Sequence, residues 1–146
     1  MAITYHPAKV ADLTPMVNLD ILSYDTPLDE EIFINCIHLR TCYVAWDNKR
    51  IVGYISFQNI ESEQVILGLA VHPAYRRQGI ATKLVDFVIG LPNSSKITME
   101  VREKNLSGQL FLRAIGFNCF SVLKNYYEDE SDEDCYVFTL YVGATV

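Results

Sequence analysis

Apolar residues recur at two periods along this chain of 146 residues. Where they fall at i, i+3, i+4 and i+7 they predict helices, and where they alternate or run on without a break they predict strands. Residues 3–7 read as a short strand. A helix over 9–23 follows, with Leu13, Met16, Val17 and Ile21 on one face. Thr26-Pro27 breaks the chain, and 29–38 reads as a second helix with Ile32, Cys36 and Ile37 inward. Two strands, 42–46 and 51–57, are joined across Asp47-Asn48-Lys49-Arg50, a hairpin signal. The stretch 64–71 is almost continuously apolar, as in a strand buried on both faces. Ala81, Leu84, Val85, Val88 and Ile89 mark a helix over 79–89, and Ile97 begins a strand that runs to Val101. A helix over 105–114 carries Ser107, Leu110, Phe111 and Ala114 at helical spacing and stops at Gly116. Strands at 119–123 and 136–141 close the chain. The predicted order is β-α-α-β-β-β-α-β-α-β-β in one domain spanning 1–146, without repeats or linker.

Between the strand 64–71 and the next helix lies Val71-His-Pro-Ala-Tyr-Arg-Arg-Gln-Gly-Ile-Ala-Thr82. A helix start leaves its first backbone N–H groups unpaired at the positive end of the helix dipole, which favours an anion. Gly79 lets the backbone approach a phosphate with no Cβ in the way, and Arg76 and Arg77 add charge and bidentate donors. The implied ligand is a pyrophosphate. Neither G-x-x-x-x-G-K-[ST] nor G-x-G-x-x-G is present, which argues against a P-loop or a dinucleotide fold.

What is present is R-x-x-G-x-A (Arg76, Gly79, Ala81), preceded by Val71 and Pro73. This resembles motif A of the GNAT acetyltransferase superfamily. Farther on, Ile97-Thr-Met-Glu-Val-Arg-Glu-Lys-Asn105, Gly116-Phe117 and Asn125-Tyr126-Tyr127 resemble its RimI-type branch of N-terminal protein acetyltransferases. The resemblance covers the whole chain. It implies an α/β fold, a central mixed, twisted sheet of about seven strands flanked by four helices. It also implies acetyl transfer from acetyl-coenzyme A (acetyl-CoA) to an α-amino group. The pyrophosphate would lie against Arg76, Arg77, Gln78, Gly79, Ile80, Ala81 and Thr82, and the pantetheine arm along the backbone of Leu69, Ala70 and Val71. Asn105, a natural N-cap, would add a polar contact to coenzyme A.

Amine acylation requires a base, and the resemblance assigns Glu100 that role, with Tyr126 and Tyr127 beside it as candidate catalytic or substrate-contacting groups. Strand alternation places Thr98 and Glu100 on the face opposite Ile97, Met99 and Val101. The chain departs from the pattern at Leu112, where the family has the tyrosine that protonates the leaving thiolate. Tyr126, Tyr127, Tyr24 or solvent are the available substitutes. Two other readings stand beside peptide acetylation: a small-amine acetyltransferase acting on polyamines, aminoglycosides or amino acids, and a coenzyme A-binding module without catalysis.

Composition narrows the partners. A net charge of −6 and a pI near 4.9 disfavour direct nucleic-acid binding. Six acids crowd Glu128-Asp-Glu-Ser-Asp-Glu-Asp134, read either as a solvated hairpin loop or as a collar for a cationic amine. No apolar run approaches the ~20 residues of a membrane span, and no signal sequence opens the chain. Cys36, Cys42, Cys119 and Cys135 form no C-x-x-C pair, and His6, His38 and His72 are dispersed. The expectation is therefore reduced cysteines, no metal and a cytoplasmic enzyme. Self-pairing into a homodimer is common in the resembling family.

Overall fold

In the computed structural model, which describes residues 2–92 and 94–143, seven strands form one sheet. They are β1 (Thr4–Pro7), β2 (Cys42–Trp46), β3 (Ile51–Ile60), β4 (Glu63–Val71), β5 (Lys96–Arg102), β6 (Asn118–Leu123) and β7 (Cys135–Tyr141), in the spatial order β1-β2-β3-β4-β5-β7-β6. Only β4 and β5 run parallel. The connection between them carries α3 (Ile80–Ile89), the crossover that a parallel pair requires. The other helices are α1 (Leu13–Ser23), α2 (Glu30–Leu39) and α4 (Leu106–Ala114).

Two apolar clusters sandwich the sheet. Ile80, Leu84, Val85 and Val88 of α3 pack with Leu112 of α4 on Ile55, Ile97, Val101 and Phe138. On the other face Met16 and Leu19 of α1 and Phe33, Cys36 and Ile37 of α2 pack on Val44, Tyr54 and Ala70. Residues 51–57 of β3 are buried throughout, as a strand covered on both faces must be.

Three helix faces differ from the pattern reading. Ile21 is 57% exposed, and Leu19 and Asp20 take the inward positions of α1. In α2 Phe33 joins Cys36 and Ile37 inside, while Ile32 lies at the edge. In α4 Leu110 is 68% exposed and Leu112 is the buried residue. Leu106, Leu110, Phe111 and Leu112 surround that short helix with apolar groups, so spacing alone offers two stripes and the strands beneath choose one.

A buried polar knot ties the first helices to the sheet. Asp20, 1% exposed, accepts the Tyr54 hydroxyl on one oxygen and the Leu28 backbone N–H (2.7 Å) on the other. Gly68 packs directly against this knot. A Cβ there would stand 2.8 Å from Leu28 Cδ1 and closer still to the Tyr54 hydroxyl, which Asp20 prevents from yielding. Gly68→Ala should therefore destabilise the fold by about 1–3 kcal/mol through overpacking. A thermal melt superimposable on the wild type would contradict the fit.

Candidate active site

The parallel ladder between β4 and β5 is short. It pairs Glu63, Gln64, Val65 and Ile66 with Lys96, Ile97, Thr98 and Met99, and then it stops. At that point β4 carries a bulge: Phe57 of β3 faces Ile66 but Ser56 faces Gly68, leaving Leu67 as the extra residue. A bulge bends its strand and increases local twist. Beyond it β4 stays with β3, and the two parallel strands diverge into a fork, the opening that an inserted pantetheine arm requires.

The β4 arm offers backbone groups to this fork in alternation. The His72 N–H donates to Val52 O of β3 at 2.8 Å. Two-residue alternation then directs Ala70 toward β3 as well, and turns the N–H and C=O of Leu69 and Val71 into the fork. Of the three residues expected to meet pantetheine through their backbone, Leu69 and Val71 have the right orientation, whereas the polar groups of Ala70 serve the sheet. Side chains already hold both fork-facing carbonyls: the Tyr24 hydroxyl donates to Leu69 O, and Arg76 Nε donates to Val71 O at 3.2 Å.

After β4, a 3-10 turn over Pro73–Tyr75 leads into Arg76-Arg77-Gln78-Gly79. Arg77 (φ 62°) and Gly79 (φ 79°) both adopt the left-handed region. Glycine does so without strain; arginine does not, and strained loop residues of this kind gather at ligand sites. Gly79 is the N-cap and α3 proper begins at Ile80, one residue later than the spacing predicts. Ile80 is 2% exposed and anchors the turn in the core. Its N–H, with those of Ala81 and Thr82, heads the helix, while Arg76, Arg77 and Gln78 are exposed around it. A Cβ built on Gly79 would have no atom within 4 Å. The space before the helix start is therefore open, as a phosphate cradle must be.

Glu100 stands on the β5 arm, immediately after Met99, the last residue paired with β4. It is exposed on the face opposite the buried Ile97 and Val101. The Tyr126 hydroxyl donates to Glu100 Oε2 at 3.2 Å, and this bond together with the carboxylate's charge raises the phenol's pKa. Tyr126 and Tyr127 meet edge to face, 5.2 Å between centroids. Burial, followed by a hydrogen bond with Cys135, raises the pKa of Tyr127.

Arg102, two residues beyond Glu100, organises the acidic loop. Its guanidinium lies 3.8 Å above the Tyr127 ring and bonds Asp129 (2.9 Å) and Glu133 (3.2 Å). Asp134 accepts the Asn125 N–H and pairs with Lys124 (3.0 Å), which in that order lower its pKa. Half of the loop's carboxylates thus build the wall that carries Tyr126 and Tyr127, an outcome neither sequence reading anticipated. Asn105 caps α4, its Oδ1 accepting the Gly108 N–H at 3.0 Å, which leaves the amide nitrogen for a ligand. Leu112 is 1% exposed within the core and brings no polar atom to the fork.

The geometry thus joins Glu100 to Tyr126 on one arm of the fork, and Leu69 and Val71 to the 76–82 turn on the other. Spacing did not single out Arg102, Asp20 or Tyr54, because each acts through a partner far along the chain. All four cysteines are free, three of them buried. Among the described residues no three His, Cys, Asp or Glu side chains converge on a metal position, and no helix is long and apolar enough to cross a membrane.

Known proteins share this fold. A model of the acetyltransferase (GNAT) family matches residues 13–117. The ribosomal protein bS18-alanine N-acetyltransferase of Haemophilus ducreyi is 33% identical over 110 residues, 72% of this chain and 74% of that protein. The crystal structure of the ribosomal-protein-S18-alanine N-acetyltransferase of Escherichia coli superposes with a TM-score of 0.86 at 21% identity, covering 99% of this chain and 97% of the other. Arabidopsis thaliana NAA60 in complex with acetyl-CoA gives 0.81 at 19% identity, over 97% and 100%.

Proposed function

The chain belongs to the acetyltransferase (GNAT) family, and from that membership we propose that it acetylates the α-amino group of a peptide or protein N-terminus, with Glu100 as the base. It is an acetyl-CoA-dependent N-acetyltransferase. The observation that carries the assignment of roles is the fork: one arm presents backbone donors, the other a carboxylate, and a glycine-opened helix start follows the first.

The residues fit the co-substrate. The open cradle at Gly79 and the N–H groups of Ile80, Ala81 and Thr82 suit the pyrophosphate, with Arg76 and Arg77 nearby as cations. Leu69 and Val71 can pair with pantetheine amides as one strand pairs with the next. Acetyl-CoA supplies the activated acyl carbonyl. Glu100 accepts the proton that the acceptor must lose before it can attack, directly or through a water, and Tyr126 fixes the carboxylate's orientation.

The acceptor face supports a peptide. Glu100, Tyr126 and Tyr127 lie on the side of the sheet carrying α1 and α2, outside the part those helices cover. The bS18-alanine N-acetyltransferase relative, by its name, modifies a protein. Free, mostly buried cysteines agree with a reducing compartment, so we place the enzyme in the cytoplasm. The test is an acceptor screen with labelled acetyl-CoA, setting peptides with varied first residues against polyamines, aminoglycosides and amino acids. Peptide turnover supports the proposal. Turnover of small amines alone overturns the acceptor assignment, and binding of acetyl-CoA without turnover of any amine leaves a coenzyme A-binding module.

A further inference from the structure

We propose that the Tyr24 hydroxyl is the group that holds the departing sulfur, and that it does so by hydrogen bonding without surrendering its proton. This rests on the acetyl-transfer reading above. The position from which α4 would deliver a phenol is Leu112, sealed in the core. Tyr24 reaches the fork from the opposite layer. It follows the last residue of α1, and its backbone N–H closes that helix on Asp20 O at 3.0 Å. Its hydroxyl donates to Leu69 O, one of the two β4 carbonyls that face the fork.

That contact is informative because of where it places the hydroxyl. An extended amide ligand pairing along β4 needs the Leu69 carbonyl as an acceptor. The carbonyl has two lone pairs, so a ligand N–H on one of them leaves the Tyr24 O–H beside the same oxygen, where the thioester end of the arm would arrive and where the O–H can exchange a neutral acceptor for the developing thiolate. The backbone around it is fixed, since Asp20 bonds the Leu28 N–H (2.7 Å) and the Tyr54 hydroxyl. A small side-chain rotation then suffices to turn the O–H toward the sulfur. Tyr126 cannot serve equally, because its hydroxyl is committed to Glu100 on the other arm.

The order of acidities decides the form of the help. Burial, then the charge of Asp20, pushes the Tyr24 phenol up to about 12, with Arg76 opposing. A thiol of ordinary pKa ~8.5 is the stronger acid, so the proton stays on Tyr24. As the C–N bond forms and the C–S bond breaks, the electron pair passes to sulfur. The ammonium's first proton has left through Glu100 to solvent before attack; the second passes from the newly acylated nitrogen to Glu100, and coenzyme A departs as a thiolate stabilised by the phenolic O–H, to be protonated later by solvent. The fold therefore tolerates leucine at 112 because a thiolate needs a donor more than it needs an acid.

The first readout needs no acceptor. The thiol of bound coenzyme A is titrated through its thiolate ultraviolet absorbance in wild type and in Tyr24→Phe, with desulfo-coenzyme A affinity measured in both. A charge-assisted hydrogen bond should make the wild type favour thiolate about ten- to hundredfold more than the variant, or one to two units of thiol pKa. Desulfo-coenzyme A should bind both equally. With 3-fluorotyrosine at position 24, a stronger donor in the same shape, the thiol pKa should fall further, which covers a poorly folded phenylalanine variant. Turnover by Tyr24→Phe should drop about tenfold or more with the acetyl-CoA KM unchanged. Equal thiol pKa values in all three proteins would overturn the proposal and leave the acetyl-transfer reading intact. A Tyr24-dependent thiol pKa in a protein that acetylates no amine would uphold the contact while the transferase reading fell.

Discussion

Gly79→Val should abolish measurable acetyl-CoA binding while leaving far-UV circular dichroism nearly unchanged. Gly79 sits at φ 79° as the N-cap of α3, a conformation that a β-branched residue adopts only under strain. The protein can respond in two ways, and both damage the site. If the backbone holds, the valine side chain projects into the space that is now open for a phosphate. If the backbone relaxes to negative φ, the N–H groups of Ile80, Ala81 and Thr82 no longer converge. Each charge-assisted hydrogen bond lost is worth about 1.5–3 kcal/mol, so losing two lowers affinity by at least about a hundredfold. The helix survives because Leu84, Val85 and Val88 hold it in the core. Gly79→Ala should show the backbone component with less steric loss and fall between. Calorimetry finding undiminished affinity in the valine variant would remove the pyrophosphate from this turn.

Glu100→Gln should lower turnover about 10²–10⁴-fold while acetyl-CoA affinity stays close to wild type. The two effects should separate because Glu100 is exposed on β5, whereas the glycine turn proposed for the pyrophosphate follows β4. Glutamine keeps the size of the side chain and can still accept the Tyr126 hydrogen bond, so lost packing cannot explain a large effect. Tyr126→Phe removes only the group that orients the carboxylate and should cost less than the loss of the base itself. Retention of most activity by Glu100→Gln between about pH 6 and about pH 9 would show that water or another carboxylate carries the proton.

Much of this site was legible in the residues because its parts are local. The apolar strand, the arginine-glycine turn and the periodic helix lie in one contiguous run, and the structure keeps all three as β4, the 76–79 turn and α3. The spacing of Glu100 to Asn105 survives for the same reason, as a strand leading into a capped helix. What stayed hidden depends on partners far apart in sequence. Tyr24 meets Leu69 across 45 positions and Arg102 meets Glu133 across 31, and no local period encodes either pairing. The orientation of Ala70 was hidden in another way. A run that is apolar on both faces does not reveal which backbone groups turn toward which neighbouring strand. The bulge at Leu67 had no sequence mark of its own, although Gly68 beside it is a residue such sites favour.

The divided carboxylates of the 128–134 loop have a kinetic consequence. Asp129, Glu133 and Asp134 are ion-paired with Arg102 and Lys124, whereas Glu128, Glu130 and Asp132 are exposed and have no ion pair among the described residues. Fixed carboxylates steer cations over distances set by the Debye length, about 8 Å at physiological ionic strength. The unpaired three thus act on encounter more than on residence: a cationic N-terminus should arrive faster in dilute buffer than in concentrated salt, while its departure rate stays nearly the same. An enzyme so arranged should gather cationic acceptors by charge, a step that added salt slows.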